Sequence, residues 1–258
     1  MPQANNPAQR LLAILEAAKQ KTDQKAENAW CSILGVAEGN KAQLLRRLGL
    51  VMELPFQIKE EIERIPQLEH AVYLKWMPDV EAGFSSINLG RNFSEFRNPV
   101  TATALYGLEV CSEILSRYSA EKILNPMDLD TLDTDVNSLI DELLKSEIDR
   151  DLKSFVLSKL DDVHIAILDY KYAGLKPLRK AVEAVIGSVV FEKDLHAKLG
   201  KTKYSRKFWS VMNRTAMIVT VVAGTMQITD GIKQFLPDAD ILPSGELIQN
   251  PTVGGQES

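Results

Sequence analysis

Apolar residues recur every three or four positions along most of this 258-residue chain, while the strict alternation typical of half-buried strands is hard to find. A spacing of three and four places the apolar side chains on one face of a helix, where they can pack against neighbouring helices. The sequence therefore predicts an all-α fold, a multi-helix bundle of about nine to ten helices. We expect short, proline-bounded helices in the first half and longer helices in the second.

Caps and prolines mark helix boundaries in the first part of the chain. Asn6 followed by Pro7 predicts a helix start, because the asparagine side chain can accept from free amides and proline fits the first helical turn. Gly35 predicts the end of a second helix, since glycine adopts the left-handed cap conformation without steric cost. Pro55 is expected to interrupt the helix that begins at Lys41, because proline lacks an amide hydrogen.

In the segments between Pro55, Pro66 and Pro78, apolar residues at helical spacing supply a candidate core. We expect these side chains to be buried. They are Phe56, Ile58, Ile62, Ile65, Leu68, Val72, Leu74 and Trp76.

A loop rich in asparagine, glycine and proline at 90–99 divides the chain into two helical subdomains, 1–98 and 99–236; one continuous bundle is the alternative. Residues 237–258 combine prolines, glycines and polar side chains, which predicts a flexible, disordered tail. In the second subdomain, an acidic break at 128–135 precedes three longer helical patterns. These cover about 136–146, 149–173 and 177–199.

Composition excludes some classes of protein. Hydrophobic residues at 45% and charged residues at 25% disfavour both wholesale disorder and a polytopic membrane protein. A net charge of -5 argues against a dedicated nucleic-acid binder. The two cysteines, Cys31 and Cys111, do not make a disulfide scaffold, and the N-terminus lacks the pattern of a signal peptide. We therefore expect a cytoplasmic protein.

Two apparent ligand-binding motifs lack their required context. Residues 200–202 copy the Gly-Lys-Thr end of a phosphate-binding loop, but Leu195 stands where the loop needs glycine. Asp133 and Asp135 resemble the opening of a calcium loop, but Leu144 occupies the position of the bidentate glutamate. Neither motif supports a site.

Carboxylates and histidines also occur at helical spacing. Asp161 precedes His164 by three residues, and Glu192 precedes His196 by four, so each pair lies on a common helix face. Di-metal bundles use two Glu-x-x-His pairs, and neither of these pairs has that form. The sequence thus predicts no catalytic residue, no cofactor and no metal site. An active site assembled from dispersed residues is the alternative.

A cluster of basic and aromatic residues, called here the basic collar, precedes an apolar segment near the end of the chain. Its members are Lys201, Lys203, Tyr204, Arg206, Lys207, Phe208, Trp209 and Arg214. It fits a solvated helix end, a contact with anionic lipid, or a contact with nucleic acid, which the negative net charge disfavours. The candidate lipid-contact residues are Lys201, Lys203, Arg206, Lys207, Trp209 and Arg214.

Residues 215–229 follow the basic collar without a charged side chain. These fifteen residues would span about 22 Å as a helix, short of the roughly 30 Å hydrocarbon layer of a bilayer. Ala216, Thr220 and Gly224 recur every four positions, which allows another helix to approach closely for packing or self-association. A buried helix is favoured, and a bilayer-embedded helix over about 215–232 is the alternative.

These patterns favour a non-enzymatic cytoplasmic protein that acts through protein–protein contact, with another protein or with itself. The alternative function is a membrane-associated effector, whose helical body would lie at the cytoplasmic face and whose C-terminal helix would enter the bilayer.

Overall fold

The computed structural model describes residues 6–119 and 124–223. Within these ranges the chain forms twelve helices and no strand, which confirms the predicted all-α bundle with a somewhat higher helix count. The helices are α1 (Pro7–Lys19), α2 (Ala26–Leu34), α3 (Lys41–Glu63), α4 (His70–Tyr73), α5 (Met77–Ser85), α6 (Ser94–Arg97), α7 (Ala102–Tyr118), α8 (Pro126–Leu144), α9 (Arg150–Ala173), α10 (Lys176–Phe191), α11 (Lys193–Gly200) and α12 (Ser205–Ala223).

Single turns and one helix break account for the additional helices. α4 and α6 have four residues each. The helix predicted at 177–199 is divided at Glu192, which leaves the helical conformation (φ -113°, ψ 42°) between α10 and α11. Apolar spacing does not report this break, because the periodicity continues across one non-helical residue.

Both caps predicted in the first part of the chain are confirmed. The side-chain oxygen of Asn6 accepts from the backbone amide of Gln9 at 2.8 Å and starts α1. The side-chain amide of Asn6 also donates to the carbonyl of Ser112 at 3.1 Å, which ties the start of α1 to α7. Gly35 ends α2 with φ at 58°, the left-handed conformation that favours glycine.

Pro55 does not interrupt the third helix, so that prediction was wrong. It lies inside α3 and is itself buried. An interior proline costs about 3 kcal/mol, because it removes one backbone hydrogen bond and its ring clashes with the carbonyl four residues earlier. The apolar face of α3 continues on both sides of the proline, with Val51, Leu54 and Ile58 fully buried. Their burial contributes roughly 1.5–3 kcal/mol each and outweighs the defect.

The acidic segment at 128–135 is not a break either, because α8 already begins at Pro126. The side chain of Asn125 caps this helix by accepting from the amide of Met127 at 3.0 Å. Carboxylates near a helix N-terminus are favourable because of the helix dipole. Leu132, which is fully buried, extends the apolar face of α8 into the acidic segment.

The buried apolar side chains form two clusters. The first surrounds Trp30, whose ring lies 5.5 Å from that of Phe93 and 4.7 Å from that of Phe96. It draws on α1, α2, α3, α5, α6, α7 and the end of α9, and the second draws on α8, α9, α10, α11 and α12. The two subdomains 1–98 and 99–236 stay a prediction, because packing alone does not show which part folds by itself. The tail at 237–258 lies outside the described residues.

α9 contributes to both clusters. Val156, Leu160 and Val163 in its first part belong to the second cluster, whereas Tyr172 near its end lies in the first. The same helix packs against α1 and α3 on one side and against α8 and α10 on the other. α9 is therefore the structural connection between the two cores.

A buried ion cluster fixes α9 against α3. Asp169 of α9 is 2% exposed, and its Oδ1 accepts from Nε of Arg47 at 3.0 Å. Nη1 of Arg47 also donates to the carbonyls of Leu34 and Gly35, at 2.9 and 3.0 Å. Arg46 pairs with the other carboxylate oxygen of Asp169. The carboxylate is thus paired on both oxygens, as a buried charge requires.

We expect Asp169→Ala to lower the free energy of unfolding by about 3 kcal/mol, because the guanidinium of Arg47 would remain buried without its counter-charge. Denaturant unfolding followed by circular dichroism measures this loss. Asp162→Ala, at an exposed position of the same helix, is the matched control and should change stability little. Equal losses in the two variants would contradict the prediction.

Candidate functional site

The basic collar covers the turn between α11 and α12 and the first half of α12, with its charges outward and its aromatic rings inward. Lys201 and Arg206 are exposed, whereas Phe208 and Trp209 are buried in the second cluster. Lys203 is exposed and its ammonium lies 5.2 Å from the ring centroid of Tyr204. Trp209 is therefore a packing residue in this structure, and the lysines and arginines supply the surface charge.

Two members of the basic collar pair with carboxylates of α8. Lys207 binds Glu142, and Arg214 binds Asp135. The acidic segment expected to be a break thus supplies one of these partners. This pairing leaves Lys201, Lys203 and Arg206 as the candidate lipid-contact residues for which the structure records no ion pair among the described residues.

The small-residue positions of α12 differ in their surroundings. Ala216 is fully buried in the second cluster, where α12 packs against α8 and α10. Thr220 is half-buried, and its hydroxyl oxygen has no hydrogen-bond partner among the described residues. Gly224 lies outside them. Close packing at Ala216 is therefore used within the chain, and self-association through this row stays a prediction.

His196 of α11 packs between two aromatic rings beside the basic collar. Its ring stacks on that of Trp209, with the ring centroids 5.6 Å apart. Its ring meets that of Phe155 of α9 edge to face, with the centroids 5.2 Å apart. Nε2 of His196 lies 3.1 Å from the hydroxyl of Ser188, which itself donates to the carbonyl of Val185. The hydroxyl therefore accepts from Nε2, and the buried Nδ1 has no partner among the described residues.

Two further titratable candidates, His164 and Cys111, have structural partners. His164 contacts Asp133 at 2.7 Å through Nδ1. Burial raises the pKa of Cys111 to about 11, although a hydrogen bond from the Trp76 indole acts in the opposite direction. Within 6–119 and 124–223, no group of three or more histidine, cysteine, aspartate or glutamate side chains is arranged to hold a metal ion.

An open pocket of about 510 Å³ lies between the α8–α9 loop and the α11–α12 loop. Its lining mixes basic and acidic side chains, so its charge favours no single class of ligand. The lining residues are Lys145, Ser146, Glu147, Ile148, Thr202, Lys203 and Tyr204.

A second apolar row lies on the outer face of α3. Leu45 is 56% exposed, Met52 39% and Phe56 61%, with exposed Gly49 between the first two. We call these four residues the α3 stripe. Phe56 was predicted to be core, as was Val72, which is 51% exposed, and both predictions were wrong. Spacing could not separate Phe56 from the core, because core and surface rows run side by side on α3.

Gly49 gives the α3 stripe an open gap. A glycine in an exposed helix interior costs about 1 kcal/mol relative to alanine. A β-carbon built at Gly49 would meet no atom within 4 Å, so no contact within the described residues requires glycine there. A requirement for close approach would have to come from another molecule.

Comparison with known proteins assigns no function to this chain. No family model matches the chain, and no curated protein or solved structure matches it either. Among the helices of 6–119 and 124–223, none combines the length and the apolar character that crossing a membrane requires.

We expect protonation of His196 to destabilise the packing of α11. Burial is the main cause that lowers the pKa of His196 below its ordinary 6.5; the charge of Glu192 raises it and that of Lys159 lowers it. The unfolded chain therefore binds more protons than the folded chain as the pH falls below about 6.5, and stability decreases there. Thermal unfolding at about pH 7.5 and about pH 5.5 measures this difference.

His196→Phe is the matched variant, because it keeps an aromatic ring against Trp209 and removes the proton site. The variant should lose less stability than the parent protein over the same change in pH. An identical loss in both proteins would show that other groups cause the pH dependence.

Proposed function

We propose that this protein acts through protein–protein contact rather than catalysis, and that the α3 stripe is the contact surface. The observation that supports the proposal is an apolar row on the solvent-facing side of a long helix. Leu45, Met52 and Phe56 share this row and are all exposed. Helix-in-groove recognition uses side chains at such spacing as its anchors.

The rigidity of α3 also supports this proposal. Its inner face is fully buried at Val51, Leu54 and Ile58, and the Arg47–Asp169 pair holds it against α9. A surface on a fixed helix loses little conformational freedom on binding, so more of its apolar burial contributes to affinity.

The membrane-associated effector stays an alternative with less support. Thr215, Ala216 and Val219 begin the apolar segment and are all fully buried within the chain. A helix that entered a bilayer over about 215–232 would have to remove these side chains from the second cluster. The proposed contact function requires no such rearrangement. The cytoplasmic location stays a prediction.

Site-specific photo-crosslinking in cells that produce the full chain tests the contact surface. A benzophenone side chain at position 56 should give discrete protein adducts, because Phe56 is the most exposed of the three large side chains of the α3 stripe. The same group in place of Tyr106 of α7, an aromatic residue of comparable exposure at 68% against 61%, is the matched control. It should give none of those adducts.

The absence of adducts at position 56 would refute the proposed surface. The same set of adducts from both positions would refute it as well, since random collision does not distinguish the two helices.

A further inference from the structure

The spacing of the α3 stripe fits a second copy of the same helix, and this inference rests on the proposed contact function. Leu45, Gly49, Met52 and Phe56 are separated by four, three and four residues. This is the spacing of the two seam positions in a coiled coil, where each side chain inserts between residues of the facing helix. The stripe is therefore suited to a helix with the same repeat.

The four positions are symmetrical about the midpoint of the stripe, between Leu50 and Val51. If a second α3 packs in the opposite direction about that point, Leu45 of each copy lies opposite Phe56 of the other. Gly49 of each copy then lies opposite Met52 of the other. The gap at Gly49, where no atom lies within 4 Å of a built β-carbon, receives the flexible methionine side chain.

The charged residues beside the stripe favour the same direction. Arg46 follows Leu45, and Glu53 follows Met52, so both lie on one flank of α3. In an antiparallel pair related by a twofold axis, this flank of one α3 lies against the same flank of the second α3. Arg46 of each molecule then faces Glu53 of the other, which gives two cross-molecule pairs of opposite charge.

A parallel pair lacks this complementarity. It would place the flank of Arg46 and Glu53 against the opposite flank of the second copy, which holds Leu48 and Pro55. Both of those residues are buried in the core of their own molecule.

Glu53 is exposed and has no ion pair among the described residues. Arg46 also binds Asp169, but its side chain is 34% exposed and its guanidinium has further donors.

We propose that the protein forms an antiparallel homodimer through α3, with Leu45 against Phe56, Gly49 against Met52, and Arg46 against Glu53 of the second copy.

Disulfide trapping between two differently tagged full-length chains tests the register. One chain carries Leu45→Cys and the other Phe56→Cys. The unsubstituted chain, whose native Cys31 and Cys111 are buried, is the background control. After mild oxidation, we expect disulfides mainly between the two variants, because only the antiparallel register brings these positions together. Disulfides mainly between identical variants would overturn the proposal in favour of a parallel pair.

Sedimentation equilibrium of the full chain tests the dimer itself. Glu53→Arg should weaken self-association roughly tenfold, because it places two arginines opposite each other across the interface. Glu183→Arg, an exposed charge reversal on α10, should leave the dimer unchanged and is the matched control. If Glu53→Arg and Glu183→Arg leave the dimer equally stable, the proposed register is overturned.

A parent protein that stays monomeric up to high micromolar concentration would overturn the dimer. In that case, adducts with a different protein at position 56 would still support the contact function. Without such adducts, the contact function would fail together with the dimer.

Discussion

The buried carboxylate of Asp169 constrains the arrangement of the whole molecule. A charge removed from water must be paired, and both oxygens of Asp169 bind arginines from α3. Arg47 in turn holds the carbonyls of Leu34 and Gly35 at the end of α2. The consecutive helices α2 and α3 therefore meet the distant helix α9 at one point, and any shift of α3 along α9 would separate a buried ion pair.

This constraint also determines which face of α3 meets solvent. Arg47 points toward α9, so its neighbours Leu48 and Val51 turn into the first cluster. Leu45 and Met52, displaced around the helix, then lie outside. The exposed row of α3 is thus a consequence of the packing, held in place by interactions on the opposite side of the same helix.

Several elements could be predicted from sequence because their cause is local. The asparagine cap at Asn6 and the left-handed glycine at Gly35 depend on a few neighbouring residues. The start of α8 has the same kind of local cause, because Asn125 and Pro126 repeat the Asn-Pro start of α1, although the acidic segment was predicted to be a break. The continuation of α3 through Pro55 could not be predicted in this way, because an apolar face packed by distant helices outweighs a local signal that favours a break. The basic collar was visible in the sequence, but its pairing with Glu142 and Asp135 required the fold.

The sequence by itself determined that the chain is helical, because the period of its apolar residues and the caps at its helix ends are properties of short segments. The apolar residues of α3 fall in two rows, one containing Leu44 and Leu48 and the other containing Leu45 and Met52. Only the tertiary structure decided which row is buried. The deciding partner, Asp169, lies 122 residues from Arg47, and no local pattern reports a contact over that separation.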